Sequence, residues 1–427
     1  MGLLGMRRRW NAAALAAVLL LACVARADTK KAAPAPDAGP APVARIAVGP
    51  LGFLAPSPAY LNSHLAWASL NFIDDKHLLF TFHVNRLMPR IPDDPAEDDD
   101  QMIHADVLEI ANGKILQQAD WRMHDRGRYL WALKNGEFLV RERNSIFLTD
   151  ESLELRPYLT FDTDLQAVEI SPERGLMLVE VKKLLPPAQD KAEGDSGAMV
   201  PSLLGPQEMN GTRTEILMLR PGETTVLANG MVRDPLQVPL LDDGYVNVIE
   251  GKTAKQWVIK EDLIDKTMHE IGEVRSACTP QMVTLSEDAV LADNCPVNGG
   301  DGTAVTVLSL SGNVLWRDLW QAKYIWPSFD YAVNGSRFAY ESVEANRQVG
   351  LLDSLGDTDV VAQPVGVFDT ETGKLVLVKD ASPILSEGQN FALSADGRRF
   401  AILRDGAIEV YDLPPVAAKE PVVEKKK

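Results

Sequence analysis

The side chains in this 427-residue chain that offer chemistry beyond packing are its six histidines, three cysteines and one dense run of acids. His64, His77, His83, His104, His124 and His269 show no His-x-His or His-x3-His spacing. No cysteine pair stands beside them, so the pattern gives no zinc site. Residues 91–101, IPDDPAEDDDQ, would supply oxygen ligands to calcium. They lack the alternating Asp-x-Asp-x-Asp-Gly spacing that wraps carboxylates around one ion, and read instead as a solvated acidic loop. There is no Gly-x-Ser-x-Gly elbow. The segment DWRMHDRGRYLW, residues 120–131, mixes Trp121, Tyr129 and Trp131 with His124, Asp125 and Arg126. Such residues suit a recognition surface, but the plainer reading packs the aromatics between sheets and pairs Asp125 with Arg126 or Arg128. No catalytic residue, metal or cofactor is expected.

Cys278 and Cys295 stand nine residues before and eight after Glu287. A hairpin turning there brings them opposite one another, and export predicts a disulfide between them. Export itself is read from residues 1–27: Arg7-Arg8-Arg9, an apolar run from Ala12 to Cys23, then Ala25-Arg26-Ala27 as a small-x-small cleavage site. A competing reading takes Leu20-Leu21-Ala22-Cys23 as a lipobox and leaves Cys23 as a lipidated N-terminus. The first places the protein in the periplasm or outside the cell, the second on the outer envelope. No later stretch reaches the ~18 uninterrupted apolar residues that a spanning helix needs. Losing the leader removes four arginines and no acids, which moves the formal charge from −17 to −21. A surface so acidic repels phosphate backbones, so nucleic acid is not an expected partner. Residues 28–44 form an Ala/Pro-rich tether and 414–427 a disordered tail.

Between these ends one pattern recurs: a strand, a tight polar turn, and a second strand that becomes apolar. Its turns are Asp74-Asp75, Asn135-Gly136, Glu173-Arg174, Asp243-Gly244, Glu287-Asp288, Asn334-Gly335 and Asp396-Gly397. Most copies are followed by a second hairpin, turning at Asn112-Gly113, Asp150-Glu151, Pro221-Gly222, Ser311-Gly312 or Thr372-Gly373. The fourth unit is the weakest, since WVIKEDLIDKTMHEIG would also carry a helical turn around Asp262. Seven four-stranded units make an all-β, seven-bladed β-propeller over residues 45–413. The last unit supplies only three strands, and an open ring would expose two raw sheet edges. The spare strand at residues 44–50 is therefore expected to close it, with Arg45 to Val48 pairing against Ile408 to Tyr411.

Ser394-Ala395-Asp396-Gly397 and Ser171-Pro172-Glu173-Arg174 resemble the Ser-Pro-Asp-Gly turn of WD40-like propeller repeats of the TolB type. Phe368-Asp369 through Gly373-Lys374 resembles the third-strand ending of such repeats. The resemblance implies architecture, and that fold serves docking platforms, ligand-binding modules and some enzymes alike. An enzyme of lyase, glycosidase or quinoprotein-like type would converge polar side chains on the central channel. The inner stretches LAWASLNF, YLWAL and NFALS are apolar, which favours a non-catalytic module that binds a protein or envelope component. The long connections from second to third strands (85–101, 184–211, 295–303 and 344–364) share one face. Residues 199–206, MVPSLLGP, put an apolar island there. Asp98, Asp99, Asp100, Met199, Leu203 and Leu204 are the expected partner-facing residues.

Overall fold

The computed structural model describes residues 40–57, 61, 65–86, 88–89, 100–124, 127–184, 212–298, 303–320, 324–347, 349, 358–387 and 389–416. Seven antiparallel sheets follow one another along the chain as the blades of a β-propeller. Blade 1 spans 68–123, blade 2 130–160, blade 3 165–232, blade 4 238–275, blade 5 281–320, blade 6 324–380 and blade 7 391–412 together with 44–47. Turns between first and second and between third and fourth strands share what is called here the turn face. Connections between second and third strands, and between blades, share the connection face.

The turn of blade 7 shows why its residue types recur. Ser394 Oγ accepts the N–H groups of Arg398 and Arg399 at 3.1 and 2.9 Å, and Asp396 Oδ1 accepts Arg398 N–H at 3.0 Å. Gly397 closes the turn at φ 67°, as Gly335 does in blade 6. A side chain there costs roughly 1 kcal/mol. Blade 3 repeats the device, with Ser171 Oγ accepting from Gly175 and Leu176, both at 3.0 Å. The position of Gly397 is taken in blade 3 by Arg174, at φ 61°.

Second strands such as His77–Val84 and Met177–Leu184 carry continuous apolar stretches where they are covered, residues 78–80 and 177–179, and Leu78, Leu79, Phe80, Leu178 and Val179 are wholly buried. A strand covered on both faces has no need of a polar side. The outer strand Ile115–Met123, exposed over its first half, does. Among the described residues the buried apolar side chains form seven clusters, each lying between two neighbouring blades.

Blade 4 is irregular for an electrostatic reason. Glu180 and Glu169 of blade 3 accept the N–H groups of Leu236 and Val238 at 2.9 and 3.0 Å. Donors that would begin an inner strand are thus taken by carboxylates, and the strand shrinks to a bridge between Leu240 and Tyr245. The helical turn considered around Asp262 is absent: Gln256–Leu263 and Met268–Arg275 pair as antiparallel strands. Blade 6 gains a strand, because Val360–Ala362 from its long connection pairs with Arg337–Ala345.

Ala44–Ala47 pairs antiparallel with the last strand, Ala44 opposite Val410 and Ala47 opposite Ala407. The strand stops short of residue 50, giving way to a 3-10 turn at Gly49–Leu51. Arg45 Nε donates to Glu409 Oε1 at 3.1 Å across the closure. Ile46 enters the cluster between blades 7 and 1, where Phe53 meets Phe80 edge-on at 5.6 Å. Cys278 and Cys295 form a disulfide with Cα atoms 5.6 Å apart. It lies just outside the first two strands of blade 5, Gln281–Ser286 and Ala289–Asn294, rather than across them.

Two outcomes follow. A chain starting at Ser57 loses the closing strand and leaves the edge of Ala407–Asp412 unpaired. Its unfolding midpoint should fall and light scattering should rise on warming. Replacing both Cys278 and Cys295 by serine frees a loop of 17 residues in the unfolded chain. That should cost about 3 kcal/mol in denaturant unfolding; an unchanged midpoint in either experiment would contradict the respective role.

Candidate functional site

The seven inner segments surround a central channel of 1080 Å³. Its wall is not the apolar lining that the inner-strand sequences led us to expect. Asn71 from LAWASLNF, Arg128 just before YLWAL, and Glu387 and Gln389 just before NFALS all reach it. Several apolar residues of those stretches turn into the between-blade clusters, where Leu70, Leu130 and Ala392 are buried, while Trp131 and Ala132 also reach the channel wall. Polar groups at strand ends and blade connections are left to face the axis.

Arg128 enters the channel from the connection between blades 1 and 2 and lies 5.5 Å from the ring centre of Trp131. Its Nε donates to Leu130 O at 3.2 Å. Arg174 enters from the turn of blade 3 and donates through Nη1 to Leu133 O at 2.9 Å. Across the axis, Asp330 on the inner strand of blade 6 accepts the Leu393 N–H of blade 7 at 2.6 Å. Enclosure pushes the Asp330 carboxyl upward, opposed by Arg174, the Leu393 and Tyr331 N–H groups and Arg128. Enclosure likewise lowers Arg174, opposed by Asp330, and raises the Tyr331 phenol. Among the described residues neither Arg128 nor Arg174 makes an ion pair within 4.0 Å. Two guanidiniums and a carboxylate therefore feel one another across the channel without contact. Glu169, nearby on the wall, is raised to about 7 by burial, against the Val238 N–H and with help from Glu180.

Turns from five blades gather on the turn face. Glu173 of blade 3 accepts the Glu287 N–H of blade 5 at 3.0 Å, and Glu287 accepts the Asp242 N–H of blade 4 at 2.6 Å. Asp242 in turn accepts from Ser171 Oγ at 2.5 Å and Gly175 N–H at 2.7 Å, and lies 3.4 Å from Lys134 of blade 2. Glu173 also touches blade 6: a Cβ at Gly335 would stand 2.8 Å from its Oε1. A blade-3 turn that contacts blades 5 and 6 lies across the axis, so it caps this side of the channel.

The predicted residues fall as follows. Asp100 opens the third strand of blade 1 and is engaged by Arg122, whose Nε donates to it at 2.6 Å, and by His124. Asp98, Asp99, Met199, Leu203, Leu204 and Cys23 lie outside the described residues. In the 120–131 segment, Trp121, Tyr129 and Trp131 pack into the clusters flanking blade 2, as the plainer reading has it, and Tyr129 shares a 2.7 Å hydrogen bond with Thr81. Asp125 and Arg126 lie outside the described residues; Arg128 faces the channel. Sequence reasoning passed over Arg128, Arg174, Asp330 and Tyr331. Arg174 carried a legible signal, an arginine where sister turns place glycine. Asp330 carried none, being one acid inside an aromatic strand. Among the described residues no group of three or more His, Cys, Asp or Glu is arranged to hold a metal ion, and no helix is long and apolar enough to cross a membrane.

No family model matches the sequence, and no curated protein matches it. Among solved structures, an acylaminoacyl peptidase in complex with Z-Gly-Gly-Phe-chloromethyl ketone is similar with TM-score 0.45 and 11% identity, covering 84% of this chain and 52% of that one. The Pyrococcus horikoshii acylaminoacyl peptidase gives 0.44 and 9%, over 82% and 53%. An oligogalacturonate lyase in complex with manganese gives 0.40 and 10%, over 82% and 97%. The chain spans about half the length of the peptidases it matches. With TM-scores this low, the propeller assignment rests on the chain's own strand pairing.

The carboxylate chain on the turn face gives a pH test. Burial raises Glu287 from 4.5 to about 8, with Asp242 and Glu173 adding repulsion against the Asp242 N–H. A carboxyl raised in the folded state holds its proton there after the unfolded chain has released it. Stability is thus lost as pH climbs from about 4.5 to about 8. Glu287→Gln keeps the acceptor and cannot ionise. Its unfolding midpoint should match that of the parent near pH 4 and exceed it at pH 9; an equal difference at both pH values would show that the carboxyl is not perturbed.

Proposed function

We propose that the chain is an exported binding module, a rigid ring that receives part of a protein or cell-envelope component into its central channel from the connection face. The channel carries this reading. It is capped on the turn face by the blade-3 turn and lined toward the connection face by polar side chains from several blades, among them Gln166, Gln281 and Asp293. A concave site with a few convergent polar groups on an otherwise packed scaffold is the usual form of a ligand pocket. Export is inferred from residues 1–27 and suits the disulfide, which persists in oxidising compartments. The long connections leave and re-enter the ring on the same face, between Val84 and Gln101 and between Leu184 and Thr212, where insertions on a rigid scaffold commonly carry recognition.

The test is crosslinking and copurification from the cell envelope. Gln281→Trp and Ala167→Trp each place an indole in the channel wall, and both should abolish recovery of the crosslinked partner. Leu319→Lys on an exposed outer strand should not. Deleting residues 188–208 should weaken recovery while leaving the unfolding midpoint nearly unchanged, because the strands on either side pair over their full length. Retention of the partner by both indole variants would refute entry through the channel.

A further inference from the structure

The position of Arg174 is costly unless its side chain does something. It holds φ 61° where blades 6 and 7 use Gly335 and Gly397 at φ 67°, a conformation that costs a side chain roughly 1 kcal/mol. Other side chains of the ring hold the same conformation, Asn135 and Leu153 among them, but Arg174 holds it in the turn that lies across the axis, and its side chain runs into the channel. Arg128 reaches the same space from the opposite face of the ring, half-sheathed by Trp131 and still exposed. Each guanidinium has five N–H donors in a planar fork. The hydrogen bonds above occupy one nitrogen of each, with carbonyl oxygens that carry no countercharge.

We propose that Arg128 and Arg174 form a carboxylate-recognition site within the channel, deepening the binding reading above on which it rests. Guanidiniums take carboxylates through paired, charge-assisted hydrogen bonds, stronger than neutral ones and specific in direction. Asp330, held by the Leu393 N–H, stands across from them as an acceptor for a hydroxyl or amino hydrogen beside that carboxylate. Its charge, with that of Glu387 near Arg128, rejects multiply charged anions that a bare arginine pair would admit. The ligand chemistry is thus a single carboxylate flanked by a hydrogen-bond donor, as offered by a small hydroxy acid or by the C-terminus of a peptide. Trp320, stacked on Tyr340 at 4.2 Å, forms part of the same wall and supplies an apolar surface for the remainder of the ligand.

Tryptophan fluorescence of the full mature protein reads binding, since Trp131 and Trp320 both line the channel. Two probe pairs separate the sources: gluconate against its neutral twin sorbitol, and N-acetyl-trialanine with a free carboxylate against its C-terminal amide. At least one acid should bind at least about tenfold more tightly than its neutral twin, with citrate weaker. Arg128→Gln and Arg174→Gly should each weaken that acid by about tenfold or more. Arg174→Gly relieves the backbone and gives up one hydrogen bond to Leu133 O, effects of opposite sign, so its unfolding midpoint should change little while affinity falls, a combination that a purely structural arginine would not give. Absence of binding by both acids, equal binding of acid and neutral twin, or unchanged affinity in both arginine variants would overturn the proposal. Should the acids fail while the indole variants still lose the partner, the carboxylate inference falls and channel entry stands. Should the acids bind while the indole variants keep the partner, channel entry falls instead.

Discussion

Four residue pairs between the two ends of the chain hold the ring shut. Ala44–Ala47 supplies the outer strand of blade 7, whose other three strands come from the far end of the sequence. Among the described residues every core cluster lies between two blades, and none lies within a single blade. Opening the ring at one junction would uncover both flanking sheets and leave two edges ready to pair with other chains. The cluster between blades 7 and 1 is accordingly the one that draws on both ends, joining Ile46 and Phe53 to Phe80, Leu403 and Val410. Because the circle is closed by pairing and not by a covalent bond, its stability is shared among all seven junctions.

That closed circle makes the turn face cooperative. Five of the seven junctions are reinforced by a polar link between turns: Arg174 to Leu133 O, Gly175 N–H to Asp242, Asp242 N–H to Glu287, Arg337 to Gly397 O at 2.7 Å, and Arg399 to Asp75 O. Burial raises Glu287 and Glu173, repulsion from neighbouring carboxylates adds to the rise, and the backbone N–H groups they accept oppose it. Blade 4 yields its inner strand to the same economy. Glu169 and Glu180 take the N–H groups that a ladder would have used.

The channel inherits its chemistry from those two facts. Inner strands bury much of their apolar surface sideways, against neighbouring blades, so the axis is faced by polar residues of those strands, such as Asn71, Gln166 and Asp330, together with turns and connections. A glycine-to-arginine exchange in one turn, and one arginine in one connection, suffice to bring two positive charges into the interior of a chain whose formal charge is −17. Walled by protein, charges across the axis are screened less than the same charges would be on the open surface.

The sequence by itself determined the repeat, the blade count and the closing strand, because each is local: a turn residue with positive φ, an alternating or continuous apolar strand, a spare segment of the right length. Cys278 and Cys295 were legible for the same reason, their spacing about one turn being enough to face them. Blade 4 was only half legible, since its missing inner strand depends on carboxylates some 60 residues away in sequence. The lining of the channel was decided by tertiary structure alone. Whether YLWAL or NFALS points inward or sideways is not encoded in its period, and Arg128, Arg174 and Asp330 come from a blade connection, a turn and an inner strand far apart in the chain. Only closure of the ring brings them to one axis, and only there do their charges interact.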